Sequence, residues 1–260
     1  MEDCLNKIIQ GDCLEAMKTI PDKSANMILC DLPYGTTSRN KWDIIIPFEP
    51  LWEQYKRIIK DNGAILLFAD EPFTSQLILS NLKMFKQRIT WDKDKGYGFL
   101  NSHKMLMKQT EDICLFYKKR CTYNPQMTDA KPQNIRPECS GNASLNYGNH
   151  LPKHDKDYNK TKRYPTNLIK FSSAVGECNN LNRLHPTQKP VELCEYLIKT
   201  YTNPGEIVLD NCIGSGTTAI AALNTGRHFI GIEKEPKYVE IANNRIANFN
   251  VTLPHSRQSK

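Results

Sequence analysis

The chain has 260 residues, of which 39% are hydrophobic and 24% charged, with a formal net charge of +7. That length can bury a full core as one large domain or two small ones, and the positive balance favours a polyanionic partner. Residues 1–10 hold two acids and no apolar stretch, and no apolar run approaches the roughly 18 residues of a spanning helix, which argues against a signal peptide or membrane span and for a cytoplasmic protein.

In chain order, residues 6–10 read as a short strand running into Gly11-Asp12-Cys13, then a short amphipathic helix carrying Leu14, Met17 and Ile20. Residues 27–30 form an apolar strand that ends in Asp31-Leu32-Pro33-Tyr34. The spacing predicts a helix over 48–61, stopped by Asn62-Gly63. Residues 64–68 are apolar throughout, as in a strand buried on both faces of a parallel sheet. A helix over 72–82 and strands at 88–91 and 113–117 complete the first half. Residues 118–170 then hold 11 Lys/Arg against 4 acids, without lasting periodicity and with Tyr123, Tyr147, Tyr158 and Tyr164 interleaved. Such a stretch suits a solvated insertion or a surface for phosphates and exposed bases.

Regular structure resumes after His185-Pro186-Thr187-Gln188-Lys189-Pro190, with a helix over 191–201 and a strand over 207–209 that ends at Asp210. Gly214-Ser215-Gly216-Thr217-Thr218 opens a helix that ends at Gly226; a strand over 229–233 and a helix over 236–249 follow. The nine cysteines (Cys4, Cys13, Cys30, Cys114, Cys121, Cys139, Cys178, Cys194 and Cys212) are scattered, with no C-x-x-C pair. They read as reduced structural thiols rather than a disulfide framework or a metal site.

Two stretches carry chemistry. An acid, a proline and an aromatic at a strand's carboxyl end suit the alkylation of an exocyclic amino group on a planar base. The lone pair of such a nitrogen is delocalised into the ring. The Asp31 carboxylate and a backbone carbonyl, with Leu32 the natural candidate, can take its two N–H bonds and localise that pair. Pro33 stiffens the turn and Tyr34 can stack on the base. The second stretch, a strand followed by Gly-x-Gly, a helix, a strand and an acid, is a nucleotide-type βαβ unit, with Glu233 lying 19 residues beyond Gly214. Asp210 at the strand tip would repel a pyrophosphate but welcome an ammonium group, which suits S-adenosylmethionine. Only about one helix remains after Glu233, so the missing strands must come from the N-terminal half. Asp31 and Gly214 then fall on the same edge of one sheet.

At these residues the chain resembles the DNA amino-methyltransferases of the β group, over most of residues 5–250. Asp31-Leu32-Pro33-Tyr34 is similar to the family's Asp-Pro-Pro-Tyr motif, Asp210 to Thr218 to its cofactor loop, and His185 to Pro190 to the segment before that loop. Trp91-Asp92-Lys93 and Glu111 to Lys118 are similar to its later strand pair, and Gly11-Asp12 to the acid on the cofactor's adenine. Leu32 departs from the first proline, and Asn211 and Cys212 stand where Pro and Phe are common.

The resemblance implies a Rossmann-like α/β fold, a mostly parallel sheet flanked by helices. Residues 1–118 and 186–260 would form the catalytic domain and 119–185 a target-recognition region. It implies Asp31, Leu32, Pro33 and Tyr34 as the catalytic turn. Asp210, Gly214, Gly216 and Thr217 would hold the methionine end of S-adenosylmethionine. Glu233 would take the ribose, Asp12 the adenine, and Thr187 and Lys189 the methionine carboxylate, with Cys13, Asp31, Cys212, Ser215 and Thr218 also on the cofactor; no metal is required and His185 is structural. The expected reaction is direct in-line methyl transfer to adenine N6 in double-stranded DNA after base flipping. N4-cytosine methylation is the alternative within the class. A catalytically silent DNA-binding module and a nicotinamide dehydrogenase are the alternatives outside it. The resemblance also admits a homodimer and a cognate restriction endonuclease on a separate chain.

Overall fold

A computed structural model describes residues 4–35, 43–130, 161–173 and 188–252. β1 (Lys7–Gln10) is followed by α1 (Cys13–Met17), β2 (Ala25–Asp31), α2 (Phe48–Ile58), β3 (Ile59–Ala69) and α3 (Phe73–Ser80). Next come the long hairpin strands β4 (Phe85–Tyr97) and β5 (Lys108–Phe116), joined through a 3-10 turn (Phe99–Asn101). β6 (Thr128–Asp129), β7 (Lys162–Arg163) and β8 (Leu168–Lys170) are short. The C-terminal part is α4 (Val191–Tyr201), β9 (Ile207–Asp210), α5 (Thr217–Asn224), β10 (His228–Glu233) and α6 (Pro236–Thr252).

Eight strands form one sheet in the order β1-β10-β9-β2-β3-β5-β4-β8. Every neighbouring pair is parallel except the two that β5 makes, with β3 and with β4. The sheet is therefore mostly parallel, as expected. β2 sits between β9 and β3, with Met27 opposite Val208 and Ile28 opposite Leu209. This pairing joins the two halves of the chain.

The alternation of side chains along a strand assigns the apolar residues of β2 to two faces. Ile28 and Cys30 belong to one core, with Met17 of α1, Leu51 and Tyr55 of α2, and Phe73 and Leu77 of α3. Met27 and Leu29 belong to the other, with Leu193 and Leu197 of α4 and Ala219 and Ala222 of α5. Burial on both sides explains why β2 reads as a continuous apolar run. Each of its large apolar side chains contributes about 1.5–3 kcal/mol by leaving water.

Three sequence expectations need correction. Asn62-Gly63 does not end a helix. α2 stops at Ile58 and β3 runs straight through the glycine. A methyl at Gly63 would come within 2.8 Å of the Asn26 carbonyl oxygen, where the β2–β3 register slips between Ala25 and Met27. The glycine thus permits a close strand approach. The hairpin strands are also longer than the apolar cores at 88–91 and 113–117, because ladder pairing continues through polar positions from Phe85 opposite Phe116 to Tyr97 opposite Lys108. Finally, the basic stretch is not wholly outside the sheet, since β8 pairs with β4, Thr90 opposite Leu168.

The chain divides into two compact units, Met1–Asn124 with Asn167–Lys260, and Pro125–Thr166. Within the second, β6 and β7 form an antiparallel ladder in which the Lys162 ammonium lies 2.6 Å from the Asp129 carboxylate. Tyr147 and Tyr158 fall outside the described residues. The described cysteines are all free; Cys139 and Cys178 fall outside the described set. No helix among the described residues is long and apolar enough to cross a membrane.

Candidate functional site

Because β1, β10, β9 and β2 run parallel, their carboxyl ends meet on one edge. They bring Gly11-Asp12, Glu233, Asp210 and Asp31 to a single cleft of about 730 Å³. This edge is where open α/β sheets bind ligands. The two sequence motifs are neighbours in space, as the strand order requires.

In the cofactor half, the loop after β9 is held from several sides. Asp210 is 4% exposed; one of its carboxylate oxygens accepts from the Cys212 N–H at 3.0 Å. Burial pushes its carboxyl up to about 6, although the Thr218 hydroxyl and the Cys212 amide favour the charged form. Gly214 and Gly216 take φ of +52° and +85°. At Gly216 a methyl would also lie 3.0 Å from the Ala242 Cβ, so glycine is required there twice over. Glu233 accepts from the Gly214 N–H at 2.8 Å and the Glu235 N–H at 2.9 Å. Arg245 of α6 donates to the Ser215 carbonyl at 2.7 Å. Tyr55 donates to Asn211 at 2.6 Å, which ties the loop to α2 through one of the residues that departs from the family pattern.

Asp12 caps α1 by accepting from the Leu14 N–H at 3.0 Å and also lines the cleft, as do Cys13, Cys212, Ser215, Thr217 and Thr218. Burial pushes the neighbouring Cys30 thiol up to about 12, which keeps it neutral. Gly216 lies behind the lining, at the start of α5. Thr187 and His185 fall outside the described residues.

The other half of the cleft, which the sequence reading assigns to the target, is built around Asp31. One of its oxygens accepts from the Tyr34 hydroxyl at 2.7 Å and the other from the Lys189 ammonium at 2.7 Å. Lys189 also lies 2.9 Å from Glu111 of β5, and Glu111 lies 2.5 Å from Lys93 of β4. Two carboxylates and two ammonium groups thus alternate within one pocket wall. Burial raises the Asp31 carboxyl above its ordinary range, and the Lys189 charge offsets this only in part. Burial acts on Glu111 in the same direction, but Lys189 and Lys93 together outweigh it and hold that carboxyl down at about 2. Burial works against the Lys189 charge too, yet its two carboxylate partners keep it above the ordinary lysine range. Burial and the same carboxylates push the Tyr34 hydroxyl well up, so it remains a donor. The Tyr34 ring stacks on Phe73 with centroids 5.2 Å apart. Leu32 is buried, and Pro33 lines the cleft beside it.

Glu111 and Lys93 were not singled out from the sequence, although both lie in segments on which the family likeness rests. The signal that could have found Glu111 is an acid at the head of an otherwise apolar strand, where ionised side chains are seldom buried without a partner. Lys189 lies against Asp31 and Glu111 in the cleft that the glycine loop also lines.

An open, mostly parallel sheet with a glycine-rich loop at one strand end and an Asp-Leu-Pro-Tyr turn at the next is the Rossmann-like methyltransferase architecture. The sequence profile of the DNA methylase family, covering N6 and N4 enzymes, matches residues 25–244, and the chain belongs to that family of DNA amino-methyltransferases. It is 29% identical over 259 residues to the type II methyltransferase M.HpaI of Haemophilus parainfluenzae, covering 94% of this chain and 75% of the relative. The crystal structure of the M1.HpyAVI–SAM complex is similar, with 26% identity, a TM-score of 0.62, and 92% of this chain and 98% of that one covered. The cytosine-N4-specific PvuII DNA methyltransferase, 14% identical, shares the fold with a TM-score of 0.61 over 93% of this chain and 90% of its own.

Proposed function

We propose that this protein transfers a methyl group from S-adenosylmethionine to the N6 amino group of adenine at a specific sequence in double-stranded DNA. The observation that carries the reading is the adjacency of Asp31 and Asp210 at the ends of two paired parallel strands, one cleft serving both.

The residues fit the cofactor. Asp210 is a buried carboxylate whose ionised form burial disfavours, so a cationic ammonium group is a partner that would favour that form. The backbone from Gly214 to Thr217, with Ser215 and Thr218, would hold the methionine end. Glu233 and Asp12 keep unused acceptor capacity for ribose hydroxyls and the adenine amine, next to Cys13 and Cys212. When bound, the cofactor supplies an electrophilic methyl on a sulfonium. All else falls to the chain.

Asp31 and the Leu32 carbonyl would accept the two N–H bonds of the target amine, and Tyr34, backed by Phe73, would present its ring to the base. As the nitrogen forms its new bond it becomes positive, facing a preorganised carboxylate. Asp31, whose burial raises its proton affinity, is the acceptor at hand for the proton the nitrogen then sheds. Lys189 would position Asp31 and keep it ionised beforehand, rather than bind the methionine carboxylate. The basic stretch 119–185 would read the sequence; its composition supports this. Asp31, where the family resemblance associates serine with cytosine enzymes, favours adenine. The cytosine-N4 reading stays as the second, because a cytosine-N4 enzyme shares the fold.

The test is methyl transfer from labelled S-adenosylmethionine to unmethylated genomic DNA, beside Asp31→Ala, with single-molecule sequencing of the product. N6-methyladenine at one short motif, absent with the variant, supports the reading. N4-methylcytosine moves the target to the second. Cofactor binding without methylation leaves a DNA-binding module.

A further inference from the structure

The hairpin β4–β5 forms one wall of the target half through Trp91, Lys93, Tyr97 and Glu111. It does not end there. Residues 98–107 cap it with the sequence Gly-Phe-Leu-Asn-Ser-His-Lys-Met-Leu-Met, beginning one residue beyond the pocket-lining Tyr97. A hairpin tip in water ordinarily carries Gly, Asn, Asp and Ser, since nothing lies beneath it to bury apolar groups. Here Phe99, Leu100, Met105 and Leu106 are between 66% and 96% exposed. Scattered exposed apolar residues need no explanation, but four on one short tip mark a contact surface.

The tip is also built to hold its shape and carries positive charge. Gly98 takes φ of +86° to start the 3-10 turn, and Met107 packs over Gly96 across the stem. Tyr97 donates to the Ser173 hydroxyl beside the pocket. Lys95 and Lys104 are exposed and make no ion pair among the described residues. A self-association face would bring these lysines toward their own copies in a chain of net charge +7. A duplex offers them phosphates and offers the apolar tip a base stack.

We infer that Phe99, Leu100, Met105 and Leu106 form a wedge that enters the duplex beside the target base and holds the helix open while the base occupies the Asp31 pocket, with Lys95 and Lys104 on the flanking phosphates. Apolar wedges that partly unstack a base step are a general means of opening a duplex, and a base that is already mispaired costs least to extrude.

This rests on the DNA-methyltransferase reading and is tested so that the two fail separately. The full chain and a Phe99→Ser/Leu100→Ser/Met105→Ser/Leu106→Ser variant are compared on a synthetic duplex carrying the methylated motif, and on the same duplex with the target base mispaired. The variant is expected to lose at least about tenfold in kcat/KM on the paired duplex, and to return to within about threefold of wild type on the mispaired one. Its cofactor affinity, measured by calorimetry, should stay unchanged. Equal loss on both duplexes, or no loss on either, overturns the wedge. So does an unrescued loss accompanied by a dimer-to-monomer shift in light scattering, which would make the tip a self-association face. If wild type methylates neither duplex, the methyltransferase reading fails. The wedge is then decided by ultraviolet cross-linking to bromouracil-substituted plasmid DNA, where cross-links in peptides 96–104 or 105–108 support it and their absence overturns it.

Discussion

Asp31 and Glu111, eighty positions apart in the chain, are bridged twice, by the Tyr34 hydroxyl at 2.7 and 3.0 Å and by the Lys189 ammonium at 2.7 and 2.9 Å. The hydroxyl has one proton to give, so the ammonium groups, Lys189 between the two acids and Lys93 on Glu111, are what allow both acids to be ionised at once. Lys189→Met leaves Asp31 without its ammonium partner beside the Glu111 carboxylate, which only Lys93 still pairs, and pushes Asp31 further up. The expected result is at least a hundredfold loss of methyl transfer at pH 7, with the acid limb of the pH–rate profile displaced to higher pH than in wild type. A variant with reduced rate but an unmoved acid limb would show that Lys189 does not act through Asp31.

Glu111→Gln separates stability from chemistry. Its carboxyl titrates near 4.5 when unfolded and about 2 when folded, so its stabilisation is fully present above the unfolded value and fades as pH falls toward 2. Urea unfolding at pH 7 should show the variant weaker by about 3 kcal/mol, the usual scale for breaking a buried ion pair. At pH 3.5 the gap between variant and wild type should be visibly smaller.

Asp210 titrates with the opposite sign. Its carboxyl is raised from 3.8 to about 6 by burial, so the cofactor-free fold loses stability as pH rises between those values. A cofactor ammonium on Asp210 needs the ionised form. Affinity for S-adenosylmethionine should therefore fall about tenfold per pH unit below pH 6. Calorimetric titration of Asp210→Asn should give weaker binding at pH 8 and no such slope.

Gly216→Ala places a side chain at φ +85° and 3.0 Å from the Ala242 Cβ. The combined strain and crowding should lower stability by about 1–3 kcal/mol. Cofactor affinity should fall as well, since α6 and the glycine loop must part to admit the methyl. Thermal unfolding with and without cofactor reads both effects.

What was legible in the sequence was whatever chemistry is local. Asp31 at the tip of an apolar strand and Gly214 before a helix each announce themselves within a few residues, and the parallel pairing of β2 with β9 sets them on one edge. Gly63 misled because a glycine after a helical stretch looks the same whether it ends the helix or lets two strands close up on Asn26. The pairing of Lys93, Glu111 and Lys189 was out of reach for a different reason. Its members become neighbours only once β5 has inserted between β3 and β4, and no pattern within any one segment specifies that order. Their charge pairing is a property of the sheet.

The strand order also sets when the site can exist. β1 and β2 are close in sequence, yet β9 and β10 lie between them in the sheet. A ribosome delivers those two middle strands about 180 residues after β2, so until then β1 has no hydrogen-bonded neighbour and Asp31 faces no cofactor loop. The nascent chain must wait with an open seam in its centre, the buried apolar strand β2 unpaired on one side, where a slow, non-local closure exposes it to aggregation. Competence arrives late and all at once, when the final βαβ segment slides into the gap.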